Sequence, residues 1–315
     1  MTKPSVNMTF DTSLVDTQNP NTSFSTTESD PSEADPSSTS RASQHLDITP
    51  TPPPKTTTPV QHVPTQDAYD SWASIYDTDG NMLQAIDDIE LSVLLPEFLR
   101  SVESSFPKGT LQLLDLGCGT GRNTAKLLTY PWAQDPVRTV EVTALDFSAG
   151  MLDIAREKLA PLEKYNVRLR VRQADCFPTV GDKEASPVPA VEGLEAVNGV
   201  VSTLVLEHVP LEDYFATLGS LAGRGGFALV TNMHSEMGRI SQAGFVNAEG
   251  VKVRGTSFAH TPEETVEAAA KAGFEIVSLK ERMMTREDVE SGSVGERGLK
   301  WVGIPVWYGM VLRRL

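Results

Sequence analysis

Residues 110–122 read TLQLLDLGCGTGR, an apolar run that ends in an acid and opens into three alternating glycines, Gly117, Gly119 and Gly121. Leu111 to Leu114 have the composition of a buried strand, and a glycine-rich turn after a strand lets backbone approach a ligand where any Cβ would collide. Beyond Thr120, Arg122 and Asn123 the apolar spacing becomes helical through Ala125, Leu127 and Leu128. Strand, glycine loop and helix in this order form the ligand-holding corner of an open α/β sheet.

Dinucleotide sites use GxGxxG at this corner, whereas Asp115 to Gly121 spell DxGxGxG. That pattern resembles motif I of the class I S-adenosylmethionine-dependent methyltransferases. A sulfonium cofactor carries no pyrophosphate, so such a loop supplies room and an acidic partner instead of an anion nest. Acids recur after the next two strand candidates. Residues 139–146, TVEVTALD, end in Asp146, where a carboxylate can accept both hydroxyls of a ribose or, with Ser148, cap the following helix. Val167 to Val171 leads to Asp175, by itself a turn residue. The resemblance implies that Asp175 receives the adenine amino group. It further implies cofactor contacts at Tyr69, Cys118, Phe147, Met151, Cys176 and Leu204, besides Asp115, Gly117, Gly119, Gly121 and Asp146.

Val197 to Val205 is long and apolar enough for a central parallel strand, followed by Leu206-Glu207-His208 and an amphipathic helix from Glu212 to Leu221. Ala228 to Thr231 reads as a fifth strand. Thr261, Pro262 and Glu264 make a helix start with a capping box, closed by Gly273. Phe274 to Leu279 and Trp307 to Leu312 are the last strand candidates. The alternation of strands and helices indicates an α/β fold. The resemblance implies a doubly wound, Rossmann-like, seven-stranded, mostly parallel sheet with an antiparallel last strand and helices on both faces.

The first 65 of the 315 residues hold 10 of the 21 prolines, many Ser and Thr, and few large apolar residues. Such a stretch buries too little surface to offset its ordering entropy, so residues 1–65 are expected to be a disordered tail and 66–315 one catalytic domain. The tail has seven acids against three bases, Lys3, Arg41 and Lys55, unlike an Arg-rich transit peptide, and it lacks an apolar signal core. Two cysteines give neither a disulfide framework nor a metal-ligand spacing, so a reducing compartment, the cytoplasm with the nucleus left open, is the expectation, and no metal is implied. No stretch reaches the length of a membrane span. A net charge of −15 disfavours a nucleic-acid partner.

Ahead of the first strand, Tyr69, Trp72 and Tyr76 fall on one face of a helix in YDSWASIYD. Such a stripe packs against a core, and it also suits a sulfonium, whose charge is stabilised by an aromatic face. The resemblance implies that the segment is a lid with a tyrosine near the methyl group. The next helix, Asp87 to Val102, is expected to be interrupted at Pro96.

Methyl transfer is an in-line displacement that needs alignment and exclusion of water, with a base only where the acceptor arrives protonated. Tyr76, His208 and His234 are the candidate catalytic residues, both histidines following strands at the carboxyl edge of the sheet. His234 opens an insertion, residues 235–260, expected to cover the substrate and to contain a hairpin near Gly250; Arg239 and Arg254 in it can pair with an acidic acceptor or with the protein's own carboxylates. Trp307 is expected in the core, and Trp301 can line a pocket. The expected activity is transfer of a methyl group from S-adenosylmethionine to O, N or S of a small organic acceptor. A protein or peptide methyltransferase and a non-catalytic regulatory subunit are the alternatives; the sequence leaves the oligomeric state open.

Overall fold

The computed structural model describes residues 59–132 and 139–315. In chain order the strands are β1 (Val60–His62), β2 (Leu111–Leu116), β3 (Val140–Asp146), β4 (Val167–Gln173), β5 (Val197–Thr203), β6 (Ala222–Met233), β7 (Gly244–Val246), β8 (Lys252–Arg254), β9 (Phe274–Met283) and β10 (Pro305–Arg314). The helices are α1 (Thr65–Tyr76), α2 (Met82–Ser105), α3 (Arg122–Thr129), α4 (Ala149–Leu159), α5 (Leu211–Leu221), α6 (Ser235–Ile240), α7 (Pro262–Lys271) and α8 (Arg286–Glu290).

Seven strands form one sheet in the order β4-β3-β2-β5-β6-β10-β9. The last strand, β10, runs antiparallel to both β6 and β9, while β2, β3, β4, β5 and β6 are parallel. The pleat turns neighbouring residues to opposite faces. Leu113, Val201, Leu229 and Val311 accordingly join the core beneath α1 to α4, and Leu114, Val200, Val230 and Met310 the core beneath α5 and α7. The chain runs outward from β2 through β3 to β4, then returns to β5 on the other side of β2. The crevice at such a reversal is where open α/β sheets take ligands.

The insertion forms α6 and the hairpin β7–β8, turning through Gly250 as expected. β1 adds to it in parallel, making a small three-stranded sheet. Residues 60–62 thus lie in a strand, although composition places them in the tail; pairing with Lys252 to Arg254 supplies what their own apolar content does not. The rest of the expected tail, up to residue 58, lies outside the described residues.

Pro96 does not interrupt α2, which is continuous from Asn81, its cap, to Ser105. A mid-helix proline removes one hydrogen bond at a cost of about 3 kcal/mol. Burial of Leu94, Leu95, Phe98 and Leu99 against the sheet offsets this, at roughly 1.5–3 kcal/mol per side chain. Among the described residues no helix is long and apolar enough to cross a membrane.

Candidate active site

A cavity of about 640 Å³ opens where β2, β3, β4 and β5 end, beneath α1. Parallel register brings those ends level: Leu116 lies beside Leu145, Asp146 beside Gln173, and Asp115 beside both Ala144 and Val201. Asp115, Gly117, Cys118, Gly119, Asp146, Phe147, Asp175, Cys176 and Leu204 all line the cavity, as do Tyr69, Tyr76 and His208.

The three glycines have different reasons to be glycine. All have positive φ. A Cβ on Gly117 would come within 2.5 Å of Val205 and one on Gly121 within 2.9 Å of Leu159, whereas one on Gly119 would meet nothing within 4 Å. Gly119 therefore faces open space, and Gly121, which does not line the cavity, serves packing. Met151, on α4, is likewise fully buried and lies outside the cavity wall.

Burial pushes the carboxyls of Asp115 and Asp146 up to about 6. Asp115 accepts a hydrogen bond from Thr124 Oγ1 at 2.5 Å. Asp146 accepts from the amides of Gly119 at 2.8 Å and Ser148 at 2.9 Å, and Ser148 Oγ in turn caps α4. The acid at the strand end and the helix cap are thus neighbouring residues with separate tasks. Asp175 closes a local turn by accepting from the Phe177 amide at 2.9 Å. Leu204, with φ of 55°, is the one non-glycine residue of positive φ among the described residues, and this conformation ends β5 at the cavity. Cys118 and Cys176 are buried free thiols whose ionisation burial opposes, so neither is an activated nucleophile.

The aromatic stripe of α1 divides its work. Trp72 is buried and stacks on Phe245 of β7, with ring centroids 5.4 Å apart. Tyr69 and Tyr76 face the cavity, and burial keeps both phenols protonated. The two aspartates of the repeated Tyr-Asp pair anchor the helix. Asp70 Oδ1 accepts from Ser148 Oγ at 2.5 Å and from the Gly150 amide at 3.1 Å. Asp77 accepts from Thr120 Oγ1 of the glycine loop and from Lys158 Nζ, both at 2.6 Å. Replacing Asp77 by Ala removes two contacts worth about 0.5–1.5 kcal/mol each, so the amides of α1 are expected to exchange roughly tenfold faster. Hydrogen-exchange mass spectrometry checks this, with β2 as the unchanged reference.

His208, on the turn Leu206–His208, bonds through Nε2 to Tyr69 OH at 2.7 Å and through Nδ1 to the Thr256 carbonyl at 2.6 Å. His234 is not brought to the cavity. β6 continues to Met233, so His234 caps α6, its Nδ1 accepting from the Glu236 amide at 3.1 Å while Nε2–H donates to Glu281 of β9 at 3.0 Å. Arg239 pairs with its own Glu236, and Trp301 is buried in the core; neither lines the cavity, nor does Arg254.

The cavity also recruits residues that sequence reading passes over. Arg122 and Asn123 directly follow the glycine loop, where they read only as a helix start. Arg122 is paired with Asp87 at 2.5 Å and Asp88 at 2.7 Å. Asp87 is fully buried and also accepts from Thr231 Oγ1 at 2.7 Å and Trp307 Nε1 at 2.8 Å. Asn123 donates to Thr203 Oγ1 at 2.7 Å, leaving its buried Oδ1 without a partner in the cavity wall. Phe177, Thr256 and Phe258 complete the lining, the last two from the insertion.

Residues 114–228 match the family model of a methyltransferase domain. An uncharacterized methyltransferase of Emericella nidulans is 40% identical over 272 residues, covering 80% of this chain and 91% of that protein. Among solved structures, the DhpI complex with SAH is similar at 19% identity and a TM-score of 0.48, over 79% of this chain and 94% of that one. An S-adenosylmethionine-dependent methyltransferase from Mesorhizobium loti is similar at 19% identity and a TM-score of 0.42, over 68% and 96%.

Proposed function

This chain belongs to the class I S-adenosylmethionine-dependent methyltransferases, and from that premise we propose that its acceptor is a small organic molecule methylated inside the cavity beneath α1. The observation that carries this reading is the convergence, on one cavity, of the motif I loop, the acids after β3 and β4 and the two lid tyrosines. A cavity of about 640 Å³ is within the range of small-molecule sites, roughly 300–1,000 Å³. It is lined by apolar and aromatic side chains interleaved with polar ones.

The chain's own residues fit the cofactor. Asp146 retains acceptor capacity for a ribose diol after binding two backbone amides. Asp115 and the unpartnered Asn123 Oδ1 suit an ammonium group. Phe147, Phe177 and Asp175 suit the adenine, its faces and its amino group respectively. The cofactor, when bound, supplies an electrophilic methyl carbon with a good leaving group. Tyr76 presents an aromatic face of the kind that stabilises a sulfonium, and α1 with Thr256 and Phe258 of the insertion covers the reacting atoms.

S-adenosylhomocysteine is expected to raise the melting temperature and NAD to leave it unchanged, because a ligand stabilises by binding the native state alone. Transfer of labelled methyl from S-adenosylmethionine into the small-molecule fraction of a cell extract, and not into its protein, is the expected activity. Label confined to protein would replace the small acceptor by a polypeptide.

A further inference from the structure

Tyr69 and His208 make a hydrogen-bonded pair whose direction the surroundings fix. The Thr256 carbonyl can only accept, so His208 carries its proton on Nδ1 and leaves Nε2 as an acceptor for the Tyr69 hydroxyl. A ring nitrogen held as a base by a bond on its other nitrogen, and reached through a hydroxyl in the cavity wall, is a proton path from the cavity to the protein. We propose that Tyr69 and His208 form a proton relay for an uncharged alcohol or phenol, so that this enzyme delivers its methyl group to oxygen.

The proposal rests on the methyltransferase reading and adds the class of acceptor. Three observations favour a neutral hydroxyl. Arg122 is the one Lys or Arg in the cavity wall, and two carboxylates of α2 already pair it, so an anionic acceptor would meet Asp115, Asp146 and Asp175 without a free counter-charge. A neutral amine brings its own lone pair, and a thiol ionises near pH 8.5 unaided, whereas an alcohol or phenol must lose its proton as it attacks. Glu207, fully buried with Oε2 unpartnered, holds Oε1 3.9 Å from His208 Nε2, where a carboxylate stabilises the imidazolium that forms.

In the step, the acceptor oxygen forms a bond to the methyl carbon as the carbon–sulfur bond breaks and its electron pair stays on sulfur. The acceptor's proton passes to the Tyr69 oxygen, and the Tyr69 proton passes to His208 Nε2. The products are the methyl ether, S-adenosylhomocysteine and an imidazolium whose Nε2 proton returns through the Tyr69 hydroxyl to water in the cavity once the product has left. Tyr69 touches the acceptor; His208 acts through it. The groups facing this pair are Glu207 on the same turn, the Thr256 carbonyl from the insertion, Tyr76 and Asp79 from the lid side, and Asp146 at the end of β3.

The test uses the full chain, S-adenosylmethionine carrying a carbon-13 methyl, and the uncharged small-molecule fraction of a cell extract. NMR of the product is expected to show an O-methyl carbon. Y69F and H208Q are each expected to lower kcat by about 100-fold or more with KM little changed, the size of a general-base contribution. Both are expected to change the pH dependence of kcat, which a merely structural role for the pair would leave as in the wild type. H208N, which keeps a donor for the Thr256 carbonyl but has no base, is expected to behave like H208Q and to bind S-adenosylhomocysteine as the wild type does. An N-, S- or C-methyl product, no product from the uncharged fraction, or Y69F with wild-type kcat and pH profile overturns the relay. Absence of S-adenosylhomocysteine binding by the wild type overturns the cofactor assignment instead, a result that calorimetry reads separately.

Discussion

Asp146→Ala is expected to weaken binding of S-adenosylhomocysteine by about 100- to 10,000-fold. Two hydrogen bonds to a charged acceptor are worth about 1.5–3 kcal/mol each, and every 1.4 kcal/mol is a factor of ten. The substitution also strips the Gly119 and Ser148 amides of their shared partner, which disorders the loop that must hold the ligand. Asp146→Asn keeps the size and one acceptor oxygen, so it is expected to fall between the two. Calorimetry on the three proteins measures the series, and an Ala variant with wild-type affinity would remove Asp146 from the cofactor site.

The same carboxylate gives the binding a pH dependence of known sign. Burial raises Asp146 and Asp115 from about 3.8 to about 6, so each is partly protonated in the free protein on the acid side of neutrality. Ligand groups that donate hydrogen bonds or carry positive charge favour the ionised form, and affinity is therefore expected to rise between about pH 5 and pH 7. Stability of the free protein runs the other way. From about pH 4 to about pH 6 the native state binds protons at these two sites that the unfolded chain has released, so their contribution to stability falls as pH rises. Melting curves with and without S-adenosylhomocysteine are expected to diverge as pH increases through that window.

The sheet was legible because its strands announce themselves locally. TLQLLDLG, TVEVTALD and Val197 to Val205 are continuous or alternating apolar runs, and the acids that close the first two mark the carboxyl edge of the sheet. Antiparallel placement of β10 was available only through family resemblance, since an apolar run of six residues carries no direction. What remained hidden depends on contacts distant in sequence. The state of Arg122 is decided by Asp87 and Asp88, some 35 residues upstream, and the pairing of Tyr69 with His208 spans 139 residues. His234 reads as a loop residue over the acceptor because the apolar run stops at Thr231, two residues before β6 ends; Asn232 and Met233 carry it to Glu281. Trp72 and the tyrosines share one helical face in sequence, and only the hairpin contributing Phe245 separates the packing residue from those in the cavity wall.

Gly117→Ala and Gly119→Ala are expected to separate the fold from the site, although they lie two residues apart in one loop. A methyl group on Gly117 meets Val205 Cγ2 at 2.5 Å with φ at +76°. The left-handed backbone costs about 1–2 kcal/mol and overpacking about 1–3 kcal/mol more, because Val205 follows Leu204, itself held at positive φ, and has little freedom to withdraw. At about 2–4 °C per kcal/mol for a domain of this size, the melting temperature is expected to fall by roughly 4–20 °C. Gly119, with φ at +53° and nothing within 4 Å of the new atom, carries only the backbone cost, and its melting temperature is expected to fall by no more than about 8 °C. Its methyl group, however, enters open space at a residue that lines the cavity and whose amide binds Asp146 Oδ2 at 2.8 Å. Affinity for S-adenosylhomocysteine is therefore expected to fall at least tenfold in Gly119→Ala. A Gly119→Ala protein with full affinity would mean that the loop turns its open side away from the ligand, and the cavity would then be entered from the lid alone.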